Sequence, residues 1–199
     1  MAKIDPALLS QLRERTGLGM MDCRKALEEA NGNIELAIEL LRKRGAALAV
    51  KRAGKETAEG VVHAYIHPGS RIGVLIEVNC ETDFVAKTTE MQKFAQDVCM
   101  HIAAIKPLYL NPESVDPKFI EREMDLFKEQ MKDSGKPQNI ITQIVEGKMK
   151  KLYSEICLMQ QPFVKNDQLT IDQLMQELSA KTGENIRIKR FARFEIGTY

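Results

Sequence analysis

The sequence of 199 residues has no tryptophan, three histidines, four cysteines and only 6% aromatic residues. No apolar run approaches the ~18 residues that a bilayer-spanning helix needs, and residues 1–10 hold no apolar signal-peptide core. Charge of one sign is also missing. Lys and Arg number 29 against 28 Asp and Glu, a net +1, which argues against a nucleic-acid coat or a polybasic membrane binder. Cys23, Cys80, Cys99 and Cys157 are 57, 19 and 58 positions apart with no C-x-x-C pair. That spacing fits neither structural zinc nor a disulfide framework, and predicts buried or incidental thiols in a reducing cytoplasm. P-loop, G-x-G-x-x-G and G-x-S-x-G motifs are absent. With 44% apolar and 29% charged residues the chain is ordinary globular protein, long enough for one large domain or two small ones.

Three short helices open the chain. Asp5-Pro6 is an N-cap acceptor before a proline at the first helical position, and Gly17 a left-handed stop. The second helix, from about Met20 to Ala30, carries Met20, Cys23, Ala26, Leu27 and Ala30 at three-to-four spacing on one face. Asn33 caps the third, which turns Ile34, Ala37, Ile38 and Leu41 inward and is expected to end at Gly45. Residues 1–45 thus form a three-helix module. Residues 46–59 read as a linker, partly helical, and residues 60–199 as the core.

In the core the period changes to two. Val62, Ala64 and Ile66, then Ile72, Val74, Ile76 and Val78 across Pro68-Gly69-Ser70, predict a hairpin with one apolar face. Helical stripes follow: Met91, Phe94, Ala95, Val98, Ile102 and Ile105; Ile120, Met124, Phe127 and Met131 after Asp116-Pro117; and Ile141 to Met159. Thr170-x-x-Gln173 reads as a capping box for a helix ending at Gly183. A third strand is expected to bury Ile186, Ile188, Ala192 and Phe194, leaving Arg187, Lys189, Phe191 and Arg193 on the other side. The fold class is α+β, an antiparallel sheet of about three strands covered by helices.

Candidate chemistry is sparse. On a strand, His63 and His67 lie about 13 Å apart, too far to share one metal. His101 sits at the border of an apolar stripe and reads as packed or semi-exposed. Residues 187–193 mix basic residues with Phe191, as single-strand platforms do. Asn79-Cys80-Glu81-Thr82-Asp83-Phe84-Val85-Ala86-Lys87 lies between the second strand and the next helix. Read from the residues alone, Asp83 caps a short helix there and Phe84 seals the core.

The chain then resembles a known family. Thr16-Gly17-Leu18-Gly19-Met20-Met21-Asp22-Cys23 with Lys25-Ala26-Leu27, the segment Asn79 to Ala86, and Gln161-Pro162-Phe163-Val164 are similar, in order, to three signatures of bacterial translation elongation factor Ts. The resemblance runs from the first helix to Arg193-Phe194-Glu195. It implies a guanine-nucleotide exchange factor for elongation factor Tu that uses no cofactor and no covalent catalysis. The three helices would be a ubiquitin-associated-like module docking on the partner through Leu12, Gly19, Met20 and Met21. Thr82, Asp83, Phe84 and Val85 would dislodge the partner's Mg²⁺, which reverses the core reading of Phe84. A single hairpin-and-helix copy marks the short form and implies a homodimer, with no membrane or nucleic acid among its partners. Two other readings stay open: a bare adaptor, which needs no Thr82–Val85 segment, and an RNA-binding protein using residues 187–193.

Overall fold

The computed structural model describes residues 4–132, 134–135 and 137–197. The first three positions of the expected module and the last two of the expected core lie outside them. No helix among the described residues is long and apolar enough to cross a membrane. Backbone contacts group the chain into two units.

The first unit gathers residues 4–63, 76–97 and 173–189. Helix α1 spans Pro6–Thr16, capped by the Asp5 carboxylate and stopped by Gly17 at φ 66°. α2 spans Met20–Glu29 and α3 Ile34–Arg52, the latter capped by Asn33. Leu12, Cys23, Ala26, Leu27, Ala30, Ala37 and Leu41 form their shared core. α3 does not end at Gly45. It continues seven residues further, because Gly45 is a close-approach glycine and not a cap. A Cβ built there would stand 3.1 Å from the Ala180 Cβ, on the helix α8 that spans Ile171–Thr182. Arg42 pairs with Glu177 at 3.1 Å and the Lys181 side chain lies over Gly17, so the three helices are fastened along α8.

Strands β1 (Glu59–Ile66), β2 (Ile72–Cys80) and β5 (Arg187–Glu195) form an antiparallel sheet in the order β1-β2-β5. On β2 the expected face is the buried one: Val74, Ile76, Val78 and Cys80 are inside. On β1 the expectation is inverted. Val61, His63 and Tyr65 are half-covered, while Val62, Ala64 and Ile66 are exposed. Backbone pairing explains the choice. His67 N–H donates to the Ile72 carbonyl, a register that aligns His63 and Tyr65 with the buried β2 residues. β5 departs as well. Ile186 and Ile188 are buried, but Lys189 and Arg190 are both exposed, and from there Phe191 and Arg193 turn inward while Ala192 and Phe194 turn out. One extra residue in the alternation, as a bulge inserts, flips every later side chain.

The second unit holds residues 64–75, the described part of 98–172, and 190–197. α5 spans Thr89–Ile105, and its stripe from Met91 to Ile102 is buried. α6 (Pro117–Glu129) and α7 (Gln138–Ile156) form a helical pair. Beyond α7, β3 (Pro162–Phe163) pairs with β4 (Asn166–Thr170), a small ribbon too short to show as alternation. His101 is fully buried between these parts. Its Nε2–H donates to Gln161 Oε1 at 2.9 Å, and its Nδ1 accepts the Val164 N–H at 3.2 Å. All four cysteines are buried free thiols. Burial pushes Cys99 up to about 12 and Cys157 up to about 11, which leaves both protonated and inert near neutral pH.

Candidate functional site

Where β2 ends, the chain makes one isolated turn of helix, α4, from Asp83 to Ala86. The capping residue is Thr82 and not Asp83: the Thr82 backbone is extended and its hydroxyl accepts the Val85 N–H at 3.4 Å. Asp83 therefore falls at the first helical position, where its charge suits the positive end of the turn. It pairs with Lys87 one turn later at 2.6 Å, and that ammonium holds the Asp83 carboxyl below its usual range. Val85 and Ala86 face inward and are buried, whereas Phe84 is 78% exposed. The residue that seals the core here is Val85, so the reading of Phe84 as a core seal is overturned. The turn is closed off by Thr88, whose hydroxyl donates to the Val85 carbonyl at 2.7 Å, and by Gln92, which donates to the Ala86 carbonyl at 3.1 Å.

A polar network fixes the entry to this turn. The Arg52 guanidinium, on the part of α3 that was expected to be linker, meets the Glu81 carboxylate at two points, 2.9 and 2.7 Å. Glu81 also accepts the Asn185 N–H at 2.6 Å. With both partners in place its carboxyl is pulled down to about 2. Glu184 answers from the other side, accepting the N–H groups of Glu81 and Thr82 at 3.0 and 3.1 Å and the Thr82 hydroxyl at 2.7 Å. Arg52, Glu184 and Asn185 were not picked out by sequence reasoning. The one available signal was a Glu-Asn pair standing directly between the helix stop Gly183 and an apolar strand.

In the three-helix module, Gly19, Met20 and Met21 are exposed at the start of α2. Leu12 is not a docking residue. It is 0% exposed, at the centre of the module's core, and no partner reaches it without unfolding the module. The structure brings Thr82, Asp83, Phe84 and Val85 together in one turn and Gly19, Met20 and Met21 on one short stretch.

The basic strand does not present one continuous face. Arg187 donates to the Ala53 carbonyl. Arg193 turns inward, to Glu195 at 2.8 Å and the Ala103 carbonyl at 3.2 Å. His63 and His67 have separate partners, Gln96 at 2.6 Å and the Tyr65 hydroxyl at 3.0 Å. Among the described residues no group of three or more His, Cys, Asp or Glu could hold a metal ion.

The family model described as elongation factor TS matches residues 21–198. The chain belongs to the elongation factor Ts family. Its role lies in translation elongation, as a factor of protein biosynthesis. It is 54% identical over 194 residues to elongation factor Ts of Carboxydothermus hydrogenoformans, covering 98% of this chain and 89% of that protein. The corresponding protein of Syntrophobacter fumaroxidans is 52% identical over 196 residues, 98% of each chain. That of Thermosipho melanesiensis is 49% identical over 194 residues, 98% of this chain and 99% of that one. These elongation factor Ts relatives are matched nearly end to end.

Proposed function

We propose that this member of the elongation factor Ts family is a guanine-nucleotide exchange factor for elongation factor Tu. Thr82, Asp83, Phe84 and Val85 dislodge the partner's Mg²⁺. The observation that carries this reading is Phe84, a large aromatic ring turned into solvent from a turn that hydrogen bonds hold on every side. Burying such a ring in a soluble chain is favourable by about 2 kcal/mol or more, so a rigid turn that keeps it outside is suited to inserting it into another surface. GDP on the partner is held by phosphate contacts and a metal that demands near-octahedral geometry. A wedge that displaces the elements around that metal weakens the nucleotide without any covalent step, and by linkage GDP weakens the complex by the same factor. Nucleotide rebinding then releases the factor. No acid, base, cofactor or metal of its own is required, and the protein is not an enzyme in the covalent sense.

Gly19, Met20 and Met21 form the docking surface, methionine being an adaptable contact residue. In this division residues 1–45 are the ubiquitin-associated-like docking module and residues 60–199 the working and dimerising core. Residues 46–59 hold the helical end of α3, the turn after it and the first residue of β1. The proposed homodimer forms through the open face of the sheet in the second unit. Ile66, Leu75, Phe194 and Ile196 are exposed there, and Ile66 lies over Gly73 beside them. An apolar sheet face of this kind is covered in stable proteins. The reading carries with it a cytoplasmic location.

Release of fluorescent GDP from elongation factor Tu, with and without the full chain, tests the proposal. Acceleration by sub-stoichiometric factor is the expected result. Binding without acceleration would leave only an adaptor.

A further inference from the structure

Glu81 and Glu184 are 103 residues apart, yet the Glu184 side chain serves the backbone of Glu81 and the Glu81 side chain serves that of Asn185, the residue after Glu184. Glu184 Oε2 accepts the Glu81 and Thr82 N–H groups, and Glu81 Oε1 accepts the Asn185 N–H. The effect is a reciprocal cap like that of a helical capping box, made between two distant segments. Neighbouring carboxylates would repel, and Arg52, in contact with Glu81 and within the field of Glu184, offsets that charge.

Glu184 is itself held from three sides. It follows Gly183, whose φ of 72° turns the chain out of α8. Its carbonyl accepts the Ser179 hydroxyl at 2.5 Å. The next residue, Asn185, is buried and donates its side-chain N–H to the Lys55 carbonyl at 2.9 Å.

The contact with functional content is the third, from the Thr82 hydroxyl to Glu184 Oε1 at 2.7 Å. A hydroxyl has one proton. By taking it, the carboxylate fixes the hydroxyl's rotation and leaves a lone pair aimed at the Val85 N–H, the side-chain cap at the start of α4. Phe84 is the second residue of that four-residue turn. A turn so short has little helical stability of its own, so the direction of an exposed ring depends on its cap.

We propose that Glu184 is the positioning residue for Phe84: through the Thr82 hydroxyl it sets the turn that aims the ring at the partner. This inference rests on the reading of Phe84 as the wedge. The Glu184 carboxylate hydrogen-bonds to Glu81 and Thr82 and not to the docking surface at Gly19–Met21, so its loss acts on the exchange step and not on docking.

The test is GDP release from elongation factor Tu, titrated with full-length wild type, Glu184→Ala, Glu184→Gln, Phe84→Ala and the Phe84→Ala/Glu184→Ala double variant. Circular dichroism melts accompany each. Glu184→Ala is expected to lower the maximal release rate at least ~10-fold while moving the half-saturating concentration less than ~3-fold. Glu184→Gln keeps one acceptor oxygen and should fall between. The double variant should be no slower than Phe84→Ala alone, because a missing ring cannot be misaimed. A wild-type rate in Glu184→Ala would overturn the proposal. So would a loss confined to the half-saturating concentration, or a double variant slower than Phe84→Ala by the full Glu184 factor. Should Glu184→Ala melt far below wild type, the isosteric Glu184→Gln decides on the same criteria. A slow Phe84→Ala beside a wild-type Glu184→Ala removes only the positioning role. A wild-type rate in Phe84→Ala removes the wedge itself.

Discussion

Phe84 and Val85 are neighbours in a single turn of helix, yet one is 78% exposed and the other 6%. Their substitutions should separate cleanly. Phe84→Ala is expected to leave the melting temperature near wild type and to slow nucleotide exchange by roughly 30-fold, as loss of a ~2 kcal/mol aromatic anchor does. Val85→Ala removes buried methyl groups and should cost about 2 kcal/mol of stability. Chemical denaturation and GDP release, run on the same two variants, check the pair.

The Arg52–Glu81 pair gives the protein an acid-sensitive joint. Arg52, followed by the Asn185 N–H, pulls the Glu81 carboxyl from 4.5 to about 2. A depressed folded value means the contribution is complete above about pH 4.5 and is lost as pH falls from there toward 2. Arg52→Ala is expected to melt lower than wild type at pH 7, with the difference shrinking across that window. Melting curves from pH 7 to 2 decide it, and a difference that stays constant with pH would be the contrary result.

His101 should impose a second, milder dependence. Burial holds its imidazole below the ordinary 6.5, so the unfolded chain binds more protons just under that pH and stability falls as pH drops below about 6.5. His101→Leu leaves the buried Gln161 Oε1 without this partner, at roughly 1–3 kcal/mol, and also removes the acceptor of the Val164 N–H. Urea titrations at pH 8 and pH 6 should show a destabilised variant that has lost the histidine's part of the pH dependence.

Docking is tested by point substitution. Met20→Ala with Met21→Ala is expected to raise the half-saturating factor concentration about 5- to 30-fold, for a loss of about 1–2 kcal/mol, with the maximal rate retained. Leu12→Ala should instead destabilise the module by about 2–5 kcal/mol. Point substitution leaves α3 intact, and α3 both packs along α8 through Arg42 and Gly45 and carries Arg52 to Glu81.

The open sheet face predicts the assembly. Light scattering at micromolar concentration should give wild type about twice the 22.5 kDa chain mass, and Phe194→Asp should give the single mass. A wild-type mass of one chain at all concentrations would mean that one copy of the face suffices.

Much of this molecule was legible in its sequence because local chemistry and side-chain period act over a few residues. Asp5, Asn33 and Asp116 cap the helices where they were expected to. The stripe from Met91 to Ile102 is buried, and the motif Thr82–Val85 stands in one turn. Tertiary structure alone decided the rest. Val62, Ala64 and Ile66 look like a core face, but pairing register with β2 turned His63 and Tyr65 to the covered side. One slip between Ile188 and Phe191 sent Phe194 outward and Arg193 in. Gly45 reads as a stop and is a contact, because its meaning depends on Ala180. Arg52 carries no local signature, and nothing local to Glu81 or Glu184 names their partners. A carboxylate's partners are set by which distant backbone groups the fold leaves unpaired, and no periodicity along the chain records that.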